Sequence, residues 1–364
     1  MMVAARNKIH VRVLLAADVV ASVEILPRVR PPLARIFAGK PASSLLNVVP
    51  RLFALCAAAQ QTALLTAIEA ARDEVITLAT KQHRIALIVT ERIVDLVRGL
   101  FVGHLTRDVA SAAAIGSLMS ELSALVRSEQ PAWGPPQREA TARIVAAMGA
   151  LGVPNEGGAL RSGSPLARRV AAFNGGGLKS APTGHSFLSA ADDLNITKRL
   201  LADDSTFCDC PDLEGHVPET GPWARQMIRD PLLLRPFGAA ERLTARIVEI
   251  VRLCAWLEAG AQIDAAEHGI IERYKLGPGR AAAAVECARG RLYHAVELDA
   301  QGRISRFEFL APTEWNFHRR GPLVRNLHGA VLTARRRCDE VRALIASLDP
   351  CVGFTLNFRE VRDA

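Results

Sequence analysis

Long apolar runs are absent from this sequence, which limits its relation to membranes. The longest apolar candidate, residues 85–97, is interrupted by Glu91 and Asp95, so it does not reach the roughly 18 residues that a membrane-spanning helix requires. The N-terminus carries Arg6 and Lys8 but no apolar segment with a cleavage site. The sequence therefore predicts neither a secretory signal peptide nor a membrane partner.

Aromatic side chains are also scarce, and this argues against nucleic-acid binding. They make up 5% of the 364 residues, so few are available to stack on bases. The net charge of +8 favours a polyanionic partner. However, the basic residues are interleaved with acids, and the one basic run, residues 335–337, is closely followed by Asp339 and Glu340. We therefore expect no nucleic-acid partner.

The cysteine count does not indicate a disulfide framework. There are seven cysteines, an odd number, in a chain large enough to fold around an apolar core without cross-links. Hydrophobic residues make up 49% of the chain and the mean hydropathy is +0.14, as is typical of a globular protein. We expect a cytoplasmic protein whose cysteines are reduced.

The order of sequence patterns predicts a mixed, mainly helical α+β fold. Alternating apolar residues predict a hairpin over residues 8–26, and a second strand region over residues 284–310 that includes a late β-hairpin. Between them the three-to-four residue spacing of apolar side chains predicts amphipathic helices. The helices are expected at residues 83–100, 110–127, 137–150, 240–264 and 322–347. Strands at both ends predict one domain, residues 1–364, in which the termini pair.

The segment 151–238 differs from its surroundings in composition. Gly, Pro, Ser and Asp are concentrated there, and residues 174–177 are its loosest point. We expect either an irregular, loop-rich layer or a partly mobile insertion within the domain.

The C-terminal Asp349-Pro350-Cys351 stretch is the first candidate site. Proline excludes helical geometry at the preceding residue, so a helix must end at Asp349 and present Cys351 from a loop. Cys56 stands at the start of an alanine-rich helix, where a helix N-terminus favours a thiolate. If the two segments meet, two thiolates could hold a soft metal. The alternative is that both cysteines are ordinary small core residues.

Three other patterns are weaker. Cys208 and Cys210 with His216 form a second cluster, but without the spacing of a structural zinc site, so a surface loop with two free cysteines is the simpler interpretation. The segment 175–180 lacks the residue order of a phosphate-binding P-loop. His294, like the other isolated histidines, is interpreted as a satisfied or solvent-facing residue rather than a catalytic one.

Taken together, several segments resemble the large subunit of nickel–iron hydrogenases, in the same order along the chain. Residues 51–56 are similar to that family's Arg-x-Cys-Gly-x-Cys segment, and residues 286–294 to its Glu-Ala-Pro-Arg-Gly-x-Leu-x-His stretch. Residues 214–225 resemble a loop ending Glu-Val-Gly-Pro-Leu-Ala-Arg, and residues 311–316 resemble Val-Pro-Thr-Thr-Trp-Asn. The tail resembles Asp-Pro-Cys-x-x-Cys-x-x-His. The resemblance implies a large-subunit-like fold whose termini meet at the site.

The departures from that family concern the metal ligands. Phe53 and Phe354 stand where the family has cysteines, and Gln60 and Asn357 where it has histidines. By resemblance, the retained Cys56 matches a thiolate that bridges nickel and iron. Cys351 matches one that binds nickel only. A nickel site needs about four soft ligands, so no nickel is expected.

The retained Arg289 matches an arginine that lies beside the cyanide ligands of the iron in the family. We therefore expect Cys56, Cys351 and Arg289 to bind an iron cargo. Active large subunits also carry a C-terminal extension that is removed during maturation. Only residues 358–364 follow Asn357 here, so such processing is not expected.

Hydrogenase accessory proteins of the HupK and HoxV type share these features. They are similar to shortened large subunits with missing cysteines, and the resemblance implies a maturation scaffold rather than a catalyst. It would hold an Fe(CN)2(CO) fragment for delivery to the hydrogenase large subunit, with chaperones of the HypC type and an assembly protein of the HypD type as partners. Two alternatives are a metal-free docking protein that mimics the large subunit and a degenerate enzyme with an altered redox reaction.

Overall fold

The computed structural model is a mixed fold of helices and strands, with one sheet that joins the two ends of the chain and a second, four-stranded sheet at residues 271–310. The described residues are 8–26, 32–53, 55–101, 109–126, 134–154, 160–174, 178–180, 185–202, 206–231, 236–260, 269–333 and 335–361. Within those ranges no helix is long and apolar enough to cross a membrane.

The helices and strands alternate in blocks, which gives the mixed fold that the sequence predicts. The strands are β1 (Ile9–Ala16), β2 (Val19–Leu26), β3 (Lys179–Ser180), β4 (Phe237–Gly238), β5 (Ile271–Gly277), β6 (Arg280–Cys287), β7 (Gly290–Leu298), β8 (Ile304–Leu310) and β9 (Phe354–Glu360). The helices are α1 (Leu33–Phe37), α2 (Ala42–Leu46), α3 (Val49–Leu52), α4 (Ala57–Ala71), α5 (Leu78–Phe101), α6 (Val109–Val126), α7 (Pro135–Leu151), α8 (Pro165–Asn174), α9 (Asp193–Leu200), α10 (Pro222–Arg229), α11 (Ala239–Glu258), α12 (Pro312–Asn316), α13 (Pro322–Leu327) and α14 (Arg337–Leu348).

The two ends of the chain meet in a three-stranded sheet ordered β2-β1-β9. β1 and β2 form the predicted antiparallel hairpin, and Ala17 turns it in the left-handed region at φ 54°. β9 pairs with β1 in parallel, so that Val11 lies opposite Leu356. Because this pairing begins at Phe354, it fixes the position of the segment just before β9. The predicted pairing of the termini is confirmed.

The second sheet is an antiparallel meander ordered β5-β6-β7-β8, and its centre is buried on both faces. Alternate residues of a strand point to opposite faces. Ala281 and Ala283 lie in the same apolar cluster as the alanine-rich helix α4, and Ala282 packs on the other side with Trp315. Small side chains let helix and sheet approach closely. β6 therefore carries its C-terminal end, with the residues that follow it, into the core beside the start of α4.

The helical layer is organised around α5 and α11. The apolar stripe of α5 packs in one cluster with Leu253 and Leu257 of α11. A buried ion pair joins the two helices, with Arg92 Nη2 at 2.7 Å from Glu249 Oε1. The predicted helices over residues 83–100, 110–127 and 137–150 correspond to α5, α6 and α7.

Two predicted boundaries are wrong. The single helix expected over residues 322–347 is two helices, α13 and α14, because the chain leaves helical geometry at His328 and Gly329, where φ is +73° at the glycine. The second strand region begins at Ile271 rather than at residue 284. β5 carries several charged side chains, and these obscure its alternation in the sequence.

The loop-rich segment 151–238 contains the short helices α8, α9 and α10. Its glycines 175–177, which the sequence marks as the loosest point, lie outside the described residues.

Candidate metal-binding site

Cys56 occupies the N-terminal cap of α4 in the left-handed conformation, with φ 56°. Its backbone N–H donates to Asp95 Oδ2 at 3.2 Å, and its thiol lies 3.4 Å from the same oxygen. Asp95 belongs to α5, so the buried carboxylate of one helix holds the first residue of the other. A hydrogen bond with the Cys287 thiol raises the pKa of Cys56 well above its usual value, and burial raises it further. Cys351 and Arg289 act in the opposite direction and lower this pKa.

The expectation that the helix N-terminus favours a Cys56 thiolate is therefore wrong. Glu91 occupies that N-terminus: its carboxylate accepts the backbone N–H groups of Ala58 and Ala59 at 2.7 and 2.9 Å. The helix donors that would stabilise a thiolate are thus already used by a carboxylate from α5. Burial raises the pKa of Glu91 itself to about 7.

Cys351 follows the end of α14, as Pro350 predicts. The helix ends at Leu348, and Asp349 caps it in the left-handed region at φ 51°. The Cys351 backbone N–H donates to the Thr313 hydroxyl at 3.3 Å. A hydrogen bond with the Cys56 thiol and burial of the side chain together raise the pKa of Cys351 well above its usual value. Two cysteines from opposite ends of the sequence are therefore close enough for each to shift the pKa of the other.

Arg289 joins these segments. Its Nη1 lies 3.3 Å from the Cys56 sulfur and 2.8 Å from Asp95 Oδ2. Its Nε lies 3.3 Å from Asp349 Oδ2. The guanidinium is buried, with 4% of the side chain exposed. A single arginine thus bridges carboxylates from α5 and from the end of α14, beside both cysteines.

The backbone on either side of Arg289 is held in place by residues of the 219–225 segment. Arg225 donates to the carbonyls of Cys287 and Ala288 at 3.1 and 3.0 Å, and it is itself paired with Glu249. After Arg289, Gly290 has φ +130° and packs against Thr220. These contacts determine where the guanidinium points.

A Gly290→Ala substitution is expected to displace Arg289 and destabilise the protein by about 1–3 kcal/mol. A Cβ at this position would lie 2.2 Å from Thr220 Oγ1 and 2.9 Å from Gly221 N, in a backbone region that disfavours side chains. The free energy of unfolding by urea measures the loss. Gly329→Ala is the matched control, because its φ is +73° with no atom within 4 Å of the added Cβ. Equal losses for both variants would mean that the Thr220 contact is unimportant.

The comparisons with known proteins identify the family. No protein-family model matches the chain. Over 99% of both chains, it is 53% identical to the hydrogenase expression/formation protein HupK of Bradyrhizobium diazoefficiens. The chain belongs to the HupK family. A further HupK, from Rhizobium leguminosarum bv. viciae, is 31% identical over 91% of both chains. HoxV of Cupriavidus necator, also described as a hydrogenase expression/formation protein, is 36% identical over 47% of this chain and 46% of its own.

Solved structures confirm the large-subunit-like fold of this HupK-family chain. A nickel–iron–selenium hydrogenase of Desulfomicrobium baculatum matches 93% of this chain and 94% of its own with a TM-score of 0.63 at 14% identity. An NAD+-reducing nickel–iron hydrogenase matches with a TM-score of 0.59 at 15% identity over the same shares. At these identities the likeness concerns the fold alone. The resemblance carried by five dispersed sequence segments therefore predicts the fold correctly.

The four positions at which this HupK-family chain departs from the hydrogenase pattern have other roles. Phe53 packs edge-on against Phe309, with ring centroids 5.5 Å apart. Phe354 opens β9 and packs in the cluster around the β1–β2 hairpin. Gln60 is buried, with its amide oxygen hydrogen-bonded to His294 Nε2, and Asn357 is exposed. The interpretation of His294 as a satisfied histidine holds for Nε2 only, because its buried Nδ1 has no hydrogen-bond partner within the described residues.

Sequence reasoning missed Cys287 at this site. It ends β6 two positions before Arg289, is 1% exposed, and interacts with the Cys56 thiol. The signal was available, because the sequence places a cysteine beside the one arginine that the resemblance singles out. Even so, no three His, Cys, Asp or Glu side chains within the described ranges are arranged as a metal site. Iron binding by Cys56, Cys351 and Arg289 stays a prediction.

Proposed function

We propose that this HupK-family protein is a maturation scaffold that transiently holds an Fe(CN)2(CO) fragment and passes it to the hydrogenase large subunit. One observation carries the proposal. Three residues from distant parts of the sequence lie together where α4, β6 and the C-terminal tail meet: Cys56, Cys351 and Arg289. Chaperones of the HypC type and an assembly protein of the HypD type are the proposed partners, and the cytoplasm is the proposed location.

The donor chemistry supports this cargo. Thiolates are soft ligands suited to a low-spin iron, and a guanidinium donates hydrogen bonds to anionic ligands such as cyanide. Arg289 already donates to a sulfur and to Asp95 at 3.3 and 2.8 Å, so it is directed toward the position of the two cysteines. Two thiolates bind iron more loosely than the four ligands of a closed site. A carrier that must release its cargo needs this weaker binding.

Nickel is not a cargo in this proposal. The phenyl rings at positions 53 and 354 cannot coordinate a metal, and each packs in an apolar cluster. The ligand set that remains is too small for a nickel centre. For the same reason we propose a carrier rather than a catalyst.

Loading requires the site to open. Cys56 and Cys351 are close enough for each to shift the pKa of the other, and the cavity on the Asp349 side of Arg289 has a volume of only about 10 Å³. A water molecule fills such a space, but an iron with three diatomic ligands does not. Residues 349–353 carry Cys351 between α14 and β9, and this short segment is the part that must move.

A metal-free docking protein is the second candidate function. The observation that favours it is the shape of the whole chain, which matches hydrogenase large subunits over 93% of its length although the ligand positions differ. Such a protein would recruit maturation factors through its surface. Its cysteines would then be incidental.

Complementation separates the two candidates. In a strain that lacks the chain's own gene, a Cys56→Ala, Cys351→Ala double variant is expected to restore less than about one tenth of wild-type hydrogenase activity, since the thiolates supply the iron ligands. Cys338→Ala is the matched control, because that thiol is exposed and outside the site. Its activity should equal that of the wild type. Full activity of the double variant, at equal protein level by immunoblot, would favour docking alone.

A further inference from the structure

A cavity of about 530 Å³ lies between the β1–β2 hairpin and the loop that carries Cys210. Its apolar lining includes Ile9, Leu26 and Phe317, and Cys210 and His318 also line it. Cavities of about 300–1,000 Å³ commonly hold small organic molecules. This cavity is separate from the small one beside Arg289.

Cys210 and His318 form a hydrogen-bonded pair at this cavity. The Cys210 sulfur lies 2.8 Å from His318 Nε2. The backbone N–H of Arg320 donates to His318 Nδ1 at 3.0 Å, so the neutral ring carries its proton on Nε2. Burial and the charges of Arg320 and Arg319 lower the pKa of His318 to about 4. The ring is therefore neutral at pH 7, and its Nε2–H donates to the sulfur.

This tautomer excludes two common uses of a Cys–His pair. A histidine that acts as the base for a thiol needs a lone pair directed at the sulfur. A histidine that binds a metal usually donates its second N–H to an oxygen. At His318 the backbone of Arg320 already occupies the one lone pair, and a proton faces the sulfur. A donor fixed beside a sulfur stabilises the thiolate relative to the thiol, and the thiolate is the nucleophilic form.

The neighbouring Cys208 has a different environment. Its side chain is buried, and its thiol lies 3.4 Å from Glu308 Oε2. His216, which the sequence suggests as a partner of the pair, is exposed and lies apart from it in a turn with Leu213. Both cysteines are free, as expected, but the expectation of a surface position is wrong for Cys208, which is buried, whereas Cys210 lines the cavity.

We propose that Cys210 is a thiol–disulfide exchange site that takes low-molecular-weight organic disulfides into this cavity. The Cys210 thiolate attacks one sulfur of the disulfide, and the S–S bond of the disulfide breaks as a new one forms to Cys210. The other half leaves as a thiolate and takes up a proton from water. The disulfide is itself the electron acceptor, so no further oxidant is needed.

The adduct would lie close to the C-terminal tail. Thr313 lines the same cavity, and its hydroxyl accepts the backbone N–H of Cys351 at 3.3 Å. Thr313 therefore connects the lining of this cavity to the tail segment. The proposal rests on the Cys210–His318 geometry and does not depend on iron binding.

The test is the order in which the cysteines react. The full-length chain is reduced, freed of reductant and treated at neutral pH with less than one equivalent of dithiodipyridine, and the modified peptides are quantified by mass spectrometry. Cys210 is expected to react at least about tenfold faster than Cys338, which is exposed and serves as the internal reference. Equal or faster reaction of Cys338 would overturn the proposal.

Two further measurements test the role of the imidazole and the role of the cavity separately. His318→Leu removes the donor and is expected to reduce the Cys210 rate about tenfold or more while leaving the Cys338 rate unchanged. A disulfide reagent linked to a long polymer, too large for the cavity, is expected to reverse the order so that Cys338 reacts first. An unchanged Cys210 rate in His318→Leu would contradict the role of the imidazole. Because His318 is buried, the wild-type order stands as a test that does not depend on the variant's folding.

Discussion

Replacement of Glu219 by Leu is expected to lower the free energy of unfolding by about 3–5 kcal/mol. Glu219 forms a two-pronged ion pair with Arg242, with both N–O distances 2.7 Å. The side chains are 1% and 2% exposed. Removal of the carboxylate leaves a buried guanidinium that contacts Asn326 through a 3.3 Å bond and the ring of Phe237 within the described part of the chain. Urea unfolding followed by circular dichroism measures the loss.

Two controls show whether the loss comes from the unpaired charge. A Glu219→Leu, Arg242→Met double variant should be more stable than Glu219→Leu alone, because no uncompensated charge is then buried. Glu24→Leu removes the partner of Arg12 in a pair whose side chains are 30% and 44% exposed. That change should lower the free energy of unfolding by about 1 kcal/mol or less. A double variant as unstable as the single one would show that packing around residue 219, rather than charge, determines the effect.

Replacement of Arg289 by Met is expected to destabilise the protein by about 3 kcal/mol or more and to abolish binding of the iron cargo. Asp95 is 3% exposed and accepts from Arg289 at 2.8 Å, so it would lose its buried counter-charge. Asp349 would lose its partner at the end of α14 as well. Urea unfolding measures the first effect, and the iron content of the purified protein measures the second.

Arg98→Met is the matched control for this change. Arg98 contacts the other oxygen of the same carboxylate at 3.0 Å, but its side chain is 36% exposed. Its removal should cost about 1 kcal/mol or less and leave the iron content unchanged. If Arg289→Met retained its iron while Arg98→Met lost it, Arg98 rather than Arg289 would be the residue that faces the cargo.

The parts of the fold that could be predicted are those in which one residue type imposes a local geometry. Pro350 ends a helix whatever surrounds it, and the alternation in residues 8–26 is explicit. The break between α13 and α14 could not be predicted in this way. Gly329 marks it, but residues 322–347 retain helical spacing on both sides. The contacts of Gly329 and Ala330 with the β1–β2 hairpin decide the outcome: Gly329 N–H donates to the carbonyl of Val20, and Val20 N–H donates to the carbonyl of Ala330, both at 2.9 Å.

The candidate site was predictable where the resemblance pointed to a residue and unpredictable where long-range contacts set its chemistry. Cys56, Cys351 and Arg289 were named from the sequence. The raised pKa of Cys56 was not, because it depends on a hydrogen bond to Cys287 and on burial, and because Glu91 of another helix occupies the helix N-terminus. Cys287 was missed because the resemblance assigns no ligand to its position.

The most direct test of the proposed function is an infrared spectrum of the chain purified from cells that contain the hydrogenase maturation machinery. We expect cyanide and carbonyl stretching bands in the wild type, a shift of the cyanide bands on isotopic labelling, and loss of all these bands in the Cys56→Ala, Cys351→Ala variant. Cys338→Ala should retain them. A wild-type spectrum without such bands, or bands that survive unchanged in the double variant, would contradict it.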